Sequence, residues 1–170
     1  MLGSLLNIGA APRPSGLGVL DYGAGVKTLS LCPPSPNCIS TAEEVNDPDH
    51  YVPGWTYNPE DGRGRSNGSG KPASPAQAMQ ELREAVESLN PDKFTSRVVS
   101  QTGDYLYAEY TSPTFGFVDD VEFWLKPGPG SRVEYRSASR VGESDGGANR
   151  KRIRAIRQAL EKKGWASVGF

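Results

Sequence analysis

Residues 118–141 read VDDVEFWLKPGPGSRVEYRSASRV and contain the clearest β-hairpin signal of the chain. Pro127-Gly128-Pro129-Gly130 marks a turn, because proline fixes φ and glycine permits the backbone angles that tight turns need. On both sides of that turn apolar or small side chains alternate with charged ones, as in strands that place one face against a core. The stretch therefore predicts two antiparallel strands, Val118–Lys126 and Arg132–Val141.

A second hairpin precedes the first one along the chain. Ser96–Ser100 and Tyr105–Thr111 flank Thr102-Gly103-Asp104, which has the composition of a turn. The four segments together predict an antiparallel sheet of four strands.

One helix is predicted on each side of this β region. Ser74-Pro75 has the residues of an N-cap followed by proline at the first helical position, and helical spacing of apolar residues continues to Leu89, before Asn90-Pro91. The second helix is expected from about Gly146 to Lys163, with Ser144 or Asp145 as its N-cap.

The order of helix, four strands and helix predicts an α+β fold, with an antiparallel four-stranded sheet and two helices packed on one face. The α+β core is expected over residues 75–163, and the other segments are expected to be irregular. These are a long extended Gly/Pro-rich N-terminal arm at 1–31, a loop region at 32–74 with a Cys32–Cys38 turn and a flexible insertion at 62–74, and a C-terminal tail at 164–170.

Length and composition exclude several classes of protein. The chain has 170 residues, which suit one domain, and its 20 glycines and 14 prolines with 36% hydrophobic residues indicate long irregular stretches around one core. No run of about 18 apolar residues is present, so we expect contact with a membrane to be peripheral at most. Two cysteines are too few for a disulfide scaffold.

Charge is unevenly distributed along the chain. Residues 1–130 carry 9 basic and 16 acidic side chains, whereas residues 131–170 carry 10 basic and 4 acidic ones. The basic segment either folds onto the acidic remainder or forms a docking face for an anionic partner. Nucleic acid is not expected as a partner, because the pI is about 5.9 and no aromatic-plus-basic motif accompanies the basic residues.

Strand alternation separates the polar residues of the long hairpin into two sets. Arg136 and Arg140 share a face with Asp120 and Glu122, one of which is expected to pair with Arg136 across the strands. This face is either an ordinary charged surface or a site at which two arginines hold a carboxylate or phosphate. Asp119 is expected on the helix side with two serines, as an orienting or acid–base group.

The junction between the last strand and the second helix adds further polar groups. Its glycines at 146 and 147 would let an anion approach backbone N–H groups at the helix start, unless Asp145 caps them. The candidate ligand-binding residues are Asp119, Arg136, Ser137, Ser139, Arg140, Asp145, Asn149 and Arg150.

The two cysteines and the single histidine offer weaker alternatives. Cys32 and Cys38 form a disulfide in an oxidising compartment and remain thiols in the cytosol. Cys38 with His50 is a conceivable nucleophile and base, but a hydrogen-bonded surface role for His50 is the simpler interpretation. No catalytic, cofactor or metal motif is present, so we expect no cofactor and no metal and lean against an enzyme.

Three stretches together resemble the domain of unknown function 1499 family. They are residues 31–40 (LCPPSPNCIS), 117–123 (FVDDVEF) and 136–142 (RSASRVG), the last continuing to 145–152 (DGGANRKR). The order and spacing match from about Gly16 to Leu160. The insertion at 62–74 is atypical of bacterial members, and Glu143 stands where an aromatic residue is common.

The resemblance implies a location and a partner more than a reaction, because the family is uncharacterised. Bacterial members are often envelope proteins, and plant and algal relatives are chloroplast proteins. The resemblance thus implies a chloroplast location at the thylakoid, with the bacterial periplasm or envelope as the alternative.

Two functions are therefore expected. The first is a non-enzymatic accessory protein of a membrane protein complex, such as a photosynthetic one, with the N-terminal arm ordering on its partner. The alternative is a small-anion-binding protein or enzyme that uses the Arg/Asp/Asn cluster.

Overall fold

The two predicted hairpins form the centre of the structure, a computed structural model that describes residues 11–65, 71–142 and 146–169. Their four strands are longer than any other strand in this described part of the chain. In chain order, the strands are β1 (Leu20–Asp21), β2 (Lys27–Thr28), β3 (Cys38–Ser40), β4 (Trp55–Thr56), β5 (Thr95–Gln101), β6 (Tyr105–Thr111), β7 (Val118–Leu125), β8 (Arg132–Ser139) and β9 (Ala166–Ser167).

The prediction of a four-stranded sheet with two helices on one face is wrong, because the main antiparallel sheet has seven strands. Its order is β5-β6-β7-β8-β4-β9, and β3 pairs with β8 beside β4. A separate two-stranded sheet joins β1 to β2. The additional strands have two or three residues each and lie in segments expected to be arm, loop and tail. So few residues show no alternation, and these segments are strands only because they pair: β3 and β4 with β8, β9 with β4, and β1 with β2.

Two helices accompany the sheet, α1 (Pro75–Ser88) and α2 (Ala148–Glu161). The predicted start of α1 is confirmed, since the Ser74 hydroxyl accepts a hydrogen bond from the backbone N–H of Gln77. α2 begins later than expected, with Gly147 at the N-cap position in a left-handed conformation (φ 79°). Asp145 and Ser144, the expected caps, lie outside the described residues.

The hydrophobic core combines the apolar sides of both helices with alternate residues of the long strands. Leu82 of α1, Ile156 of α2 and Phe123 of β7 are all fully buried. Trp55 of β4 stacks on Tyr135 of β8, with ring centroids 4.3 Å apart. The supposed loop region therefore supplies core side chains as well as strands.

Residues 11–31 cover the side of the sheet that faces away from this core. Glu122 alternates with Val121 and Phe123 along β7, so its carboxylate points to the opposite side. There it accepts a hydrogen bond from the backbone N–H of Gly18 at 2.6 Å. In the same segment Leu29 is completely buried. The Gly/Pro-rich segment is thus ordered on the chain's own sheet.

The predicted insertion at 62–74 is described only at its two ends. Arg65 is buried, and its guanidinium donates to the Tyr57 carbonyl at 2.6 Å and to the Glu81 carboxylate at 2.6 Å. Residues 66–70 lie outside the described part of the chain.

In the ranges that the structure describes, neither helix combines the length and the apolar composition of a membrane-spanning segment.

Candidate functional site

The predicted site residues separate into two clusters on the two sides of the sheet. Asp119, Ser137, Ser139 and Asn149 lie together with Arg152 on the side of α2, and we call these five residues the inner cluster. Arg136 and Arg140 lie on the other side, beneath residues 11–31. The single anion site that the sequence suggested is therefore not assembled.

An ion pair between Asp119 and Arg152 is the centre of the inner cluster. The Arg152 Nη2 donates to Asp119 Oδ2 at 2.7 Å, and both side chains are almost completely buried. The guanidinium also lies over the rings of Phe94 and Tyr110, with centroid distances of 4.9 Å and 4.6 Å. A buried charge needs such a partner, because desolvation without compensation costs several kcal/mol.

The remaining inner residues extend this pair into a continuous hydrogen-bond network. Arg152 Nη1 donates to Asn149 Oδ1 at 2.9 Å and to the Ser137 hydroxyl at 3.1 Å. Asn149 Nδ2 donates to the Ser139 hydroxyl and to the Asn37 carbonyl, each at 3.0 Å. These buried polar groups join strand β8 and helix α2 to the loop between Cys32 and Cys38, which we call the cysteine loop.

A small cavity of about 240 Å³ lies beside the inner cluster. Asp119 and Ser139 contribute its polar wall, and Phe94, Phe117 and Val141 are among its apolar residues. None of the described residues that line this cavity is basic, so its wall offers no positive charge to an anion.

The cysteine loop is closed by a disulfide between Cys32 and Cys38, whose Cα atoms are 5.7 Å apart. The closed loop presents Asn37, which is 1% exposed, to the end of β8. Its side chain donates to the Gly142 carbonyl at 2.7 Å, and its own carbonyl accepts from the Ser139 N–H at 3.0 Å. The disulfide therefore holds one wall of the inner cluster.

Replacement of both Cys32 and Cys38 by serine should lower the free energy of unfolding by about 2 kcal/mol, the chain-entropy value for so short a loop. Urea denaturation under non-reducing conditions measures this change. Addition of dithiothreitol should destabilise the unmodified protein but not the double variant. Equal urea midpoints for the two proteins without reductant would contradict a stabilising role for the disulfide.

The cluster on the other side of the sheet pairs each arginine with a carboxylate. Arg140 binds Asp120 with both Nε and Nη2, at 2.9 Å and 2.8 Å, and Asp120 is 1% exposed. The Arg140 Nη1 donates to the Ala11 carbonyl at 3.0 Å, and Arg13 pairs with Glu109 nearby. Although burial acts to raise the pKa of Glu109, its contacts with Arg13 and Arg140 hold that pKa below its ordinary value.

Glu122 and Arg136 form the least satisfied part of this cluster. They are direct cross-strand partners, as predicted, and Arg136 Nη1 lies 3.7 Å from Glu122 Oε2. That oxygen and the Arg136 Nε are buried without a hydrogen bond. Burial raises the pKa of Glu122 above its ordinary value, against the hydrogen bonds from Gly18 and Tyr105. Arg136 and Arg140 each face a buried carboxylate, with which an external anion would have to compete.

The remaining candidates do not assemble a catalytic or metal site. Cys38 is oxidised, and His50 is held between the Asp47 carboxylate and the Ser35 carbonyl, each at 2.6 Å. Arg150 is exposed and donates to the Asp49 carbonyl at 2.6 Å. Asp145 lies outside the described residues. Within those residues, no group of three or more His, Cys, Asp or Glu side chains is placed to hold a metal ion.

Arg152 is the main site residue that the sequence analysis missed. It precedes Ile156 by four residues and follows Asn149 by three, so helical spacing places it on the buried stripe of α2. An arginine on such a stripe predicts a buried carboxylate partner, and Asp119 is the carboxylate of the long hairpin that strand alternation places on the helix side. This signal was present in the sequence.

The comparisons with known proteins identify the family. The family described as a protein of unknown function (DUF1499) matches residues 28–160, which include the cysteine loop, all four long strands and most of α2. No curated protein and no solved structure gives a significant match to the chain. The resemblance seen in three sequence stretches is confirmed, and the chain belongs to the DUF1499 family.

Proposed function

We propose that this protein is a non-enzymatic accessory protein that docks on a larger membrane protein complex. The observation that carries the proposal is an aromatic turn, which we define as Phe115 and Phe117 in the connection between β6 and β7. Phe115 is 61% exposed and Phe117 is 37% exposed, and their ring centroids are 5.8 Å apart. Aromatic side chains, phenylalanine included, are enriched at protein–protein interfaces relative to the rest of the surface, so an exposed pair of them suits a docking contact.

The backbone of the aromatic turn is held in place by its own hydrogen bonds. Phe115 has a φ of 65°, a left-handed conformation that is uncommon for a bulky residue. The Phe117 N–H donates to the Ser112 hydroxyl at 2.9 Å, and the Phe117 carbonyl accepts from the Ser112 N–H at 2.8 Å. The rings are therefore presented by a fixed turn, which reduces the entropy lost when a partner binds.

The distribution of charge supports an interaction protein over the alternative of a small-anion-binding protein or enzyme. Arg136, Arg140 and Arg152 each face a buried carboxylate, so an external anion would have to displace Glu122, Asp120 or Asp119. The inner cluster is best explained as a polar network that fixes one arrangement of sheet, helix and cysteine loop.

The proposed location is the chloroplast thylakoid, or the periplasm and envelope if the protein is bacterial. The disulfide between Cys32 and Cys38 supports an oxidising compartment. The thylakoid and the photosynthetic complex themselves rest on the family resemblance.

Replacement of Phe115 and Phe117 by serine should abolish co-migration with a large complex while leaving the fold intact. Gentle solubilisation of source membranes followed by native size separation measures the association. The matched control is Val45→Ser, since Val45 is a 90% exposed apolar residue elsewhere on the surface. Persistence of the large species with the double serine variant would refute docking through this turn, and migration of the unmodified protein near 18.3 kDa would refute the accessory role itself.

A further inference from the structure

A groove of about 580 Å³ runs between α2 and the short strands at the edge of the sheet. Its floor is apolar and includes Val52, Ile153 and Trp165, together with the ring of Tyr135. Ligand pockets in proteins commonly have volumes of about 300–1,000 Å³, so the groove is large enough for part of a ligand or a few residues of a peptide.

Three arginines of α2 form one rim of this groove. Arg150, Arg154 and Arg157 are spaced at i, i+4 and i+7, so they follow one face of the helix over about 10 Å. They belong to the basic C-terminal part of the chain. Some of the other basic residues in this part form ion pairs with carboxylates of the same chain. Arg152 pairs with Asp119, and Lys151 lies 3.6 Å from Asp92.

The charge on this rim is only partly neutralised. Arg150 donates to the Asp49 carbonyl, which is uncharged, and Arg157 pairs with Glu161 at 3.1 Å in a partly exposed contact. Among the described residues, Arg154 has no carboxylate within ion-pairing distance. Of the groove's lining residues Glu161 is the single acidic one, against three arginines.

We propose that this groove binds an acidic peptide segment of a partner protein, with carboxylates along the arginine rim and an apolar side chain on the floor. Three cations spread over about 10 Å match several anions in a row better than one small anion, because an extended peptide presents same-face side chains about 7 Å apart. The floor residues are already largely buried, so they suit a few side chains rather than a long acyl chain.

The groove shares no lining residue with the aromatic turn, and peptide binding to the groove can be measured on the isolated protein. The inference therefore goes beyond the proposed docking and can fail independently of it. Loss of complex association in the serine variant tests the aromatic turn, whereas peptide binding tests the groove.

The test uses a fluorescein-labelled nonapeptide in which aspartate and phenylalanine alternate, titrated with the full chain and followed by fluorescence anisotropy. We expect saturable binding that weakens as salt is added, because the contacts are exposed ion pairs. Arg150→Glu combined with Arg154→Glu should weaken binding at least about tenfold, since two attractive contacts become repulsive. Arg83→Glu on α1 makes the same type of charge change on another helix and should change affinity less than about twofold.

Four results would overturn the proposal, three from direct titration and one from competition. The first is no binding by the unmodified protein, and the second is undiminished binding by the Arg150→Glu/Arg154→Glu variant. The third is equal affinity for a peptide with serine in place of phenylalanine. That result would show that the peptide binds through its charges alone and makes no contact with the apolar floor. Vesicles of phosphatidylglycerol and free citrate are included as competitors. If the vesicles displace the peptide at a similar concentration of negative charge, the arginines bind a membrane surface instead. If citrate does so, they bind a small anion instead.

Discussion

Replacing Asp119 with alanine is expected to lower the free energy of unfolding by about 3–5 kcal/mol, one of the two largest effects we predict for this protein. The substitution leaves the Arg152 guanidinium, which is 1% exposed, charged and without its carboxylate partner. Urea denaturation monitored by circular dichroism measures the change. Asp92→Asn is the control, because the pair of Asp92 with Lys151 is exposed and should contribute no more than about 1 kcal/mol, and asparagine tolerates the left-handed backbone at this position (φ 54°).

A double-mutant cycle separates this ion pair from the rest of the inner cluster. Asp119→Leu combined with Arg152→Met removes both charges and retains side-chain volume, so it should cost less than the sum of the two single substitutions. Strict additivity would show that Asp119 and Arg152 do not interact in the folded protein. A loss below about 1 kcal/mol for Asp119→Ala would contradict the burial of the pair.

Removal of residues 1–30 is expected to destabilise the domain by about 3–6 kcal/mol. Loss of buried Leu29 accounts for about 1.5–3 kcal/mol, and loss of the Gly18 hydrogen bond to the Glu122 carboxylate accounts for about the same. The deletion also uncovers Asp120 and Arg140. Thermal denaturation followed by circular dichroism measures the effect.

The matched control for this deletion is a chain that lacks residues 1–10 alone. It keeps the contacts of Ala11, Arg13 and Gly18 with the sheet, so its melting temperature should fall less than that of the chain without residues 1–30. A melting temperature unchanged by removal of residues 1–30 would show that the segment is dispensable to the fold. The arm would then be available to order on a partner, as the sequence analysis suggested.

Several placements of charged and polar residues on the two sides of the sheet could be predicted from the sequence. Alternation along Val118–Leu125 and Arg132–Ser139 placed Asp119 with Ser137 and Ser139, as the structure has them. It left Asp120 and Glu122 as alternative partners of Arg136, and the structure pairs Arg136 with Glu122. The spacing of α2 also places Arg152 on the buried stripe of the helix. These placements depend on local periodicity, which a sequence displays directly.

The prediction was wrong about the number of strands in the main sheet, and the reason is physical. β4 has two residues, and Trp55-Thr56 gives no pattern by which a strand is recognised. Its position is decided by pairing with β8 and by the stacking of Trp55 on Tyr135, contacts between residues about 80 apart in the chain. The contact of Gly18 with Glu122 depends in the same way on residues distant in sequence.

From the sequence alone follow the two hairpins, both helices, the family and the side of the sheet on which the charged residues of the long hairpin lie, because each of these depends on local spacing or on a long motif. Tertiary structure alone decided which charge meets which. It placed Arg140 against Asp120, Arg136 against Glu122 and residues 11–31 over the sheet, since long-range packing chooses among partners that the sequence leaves equivalent.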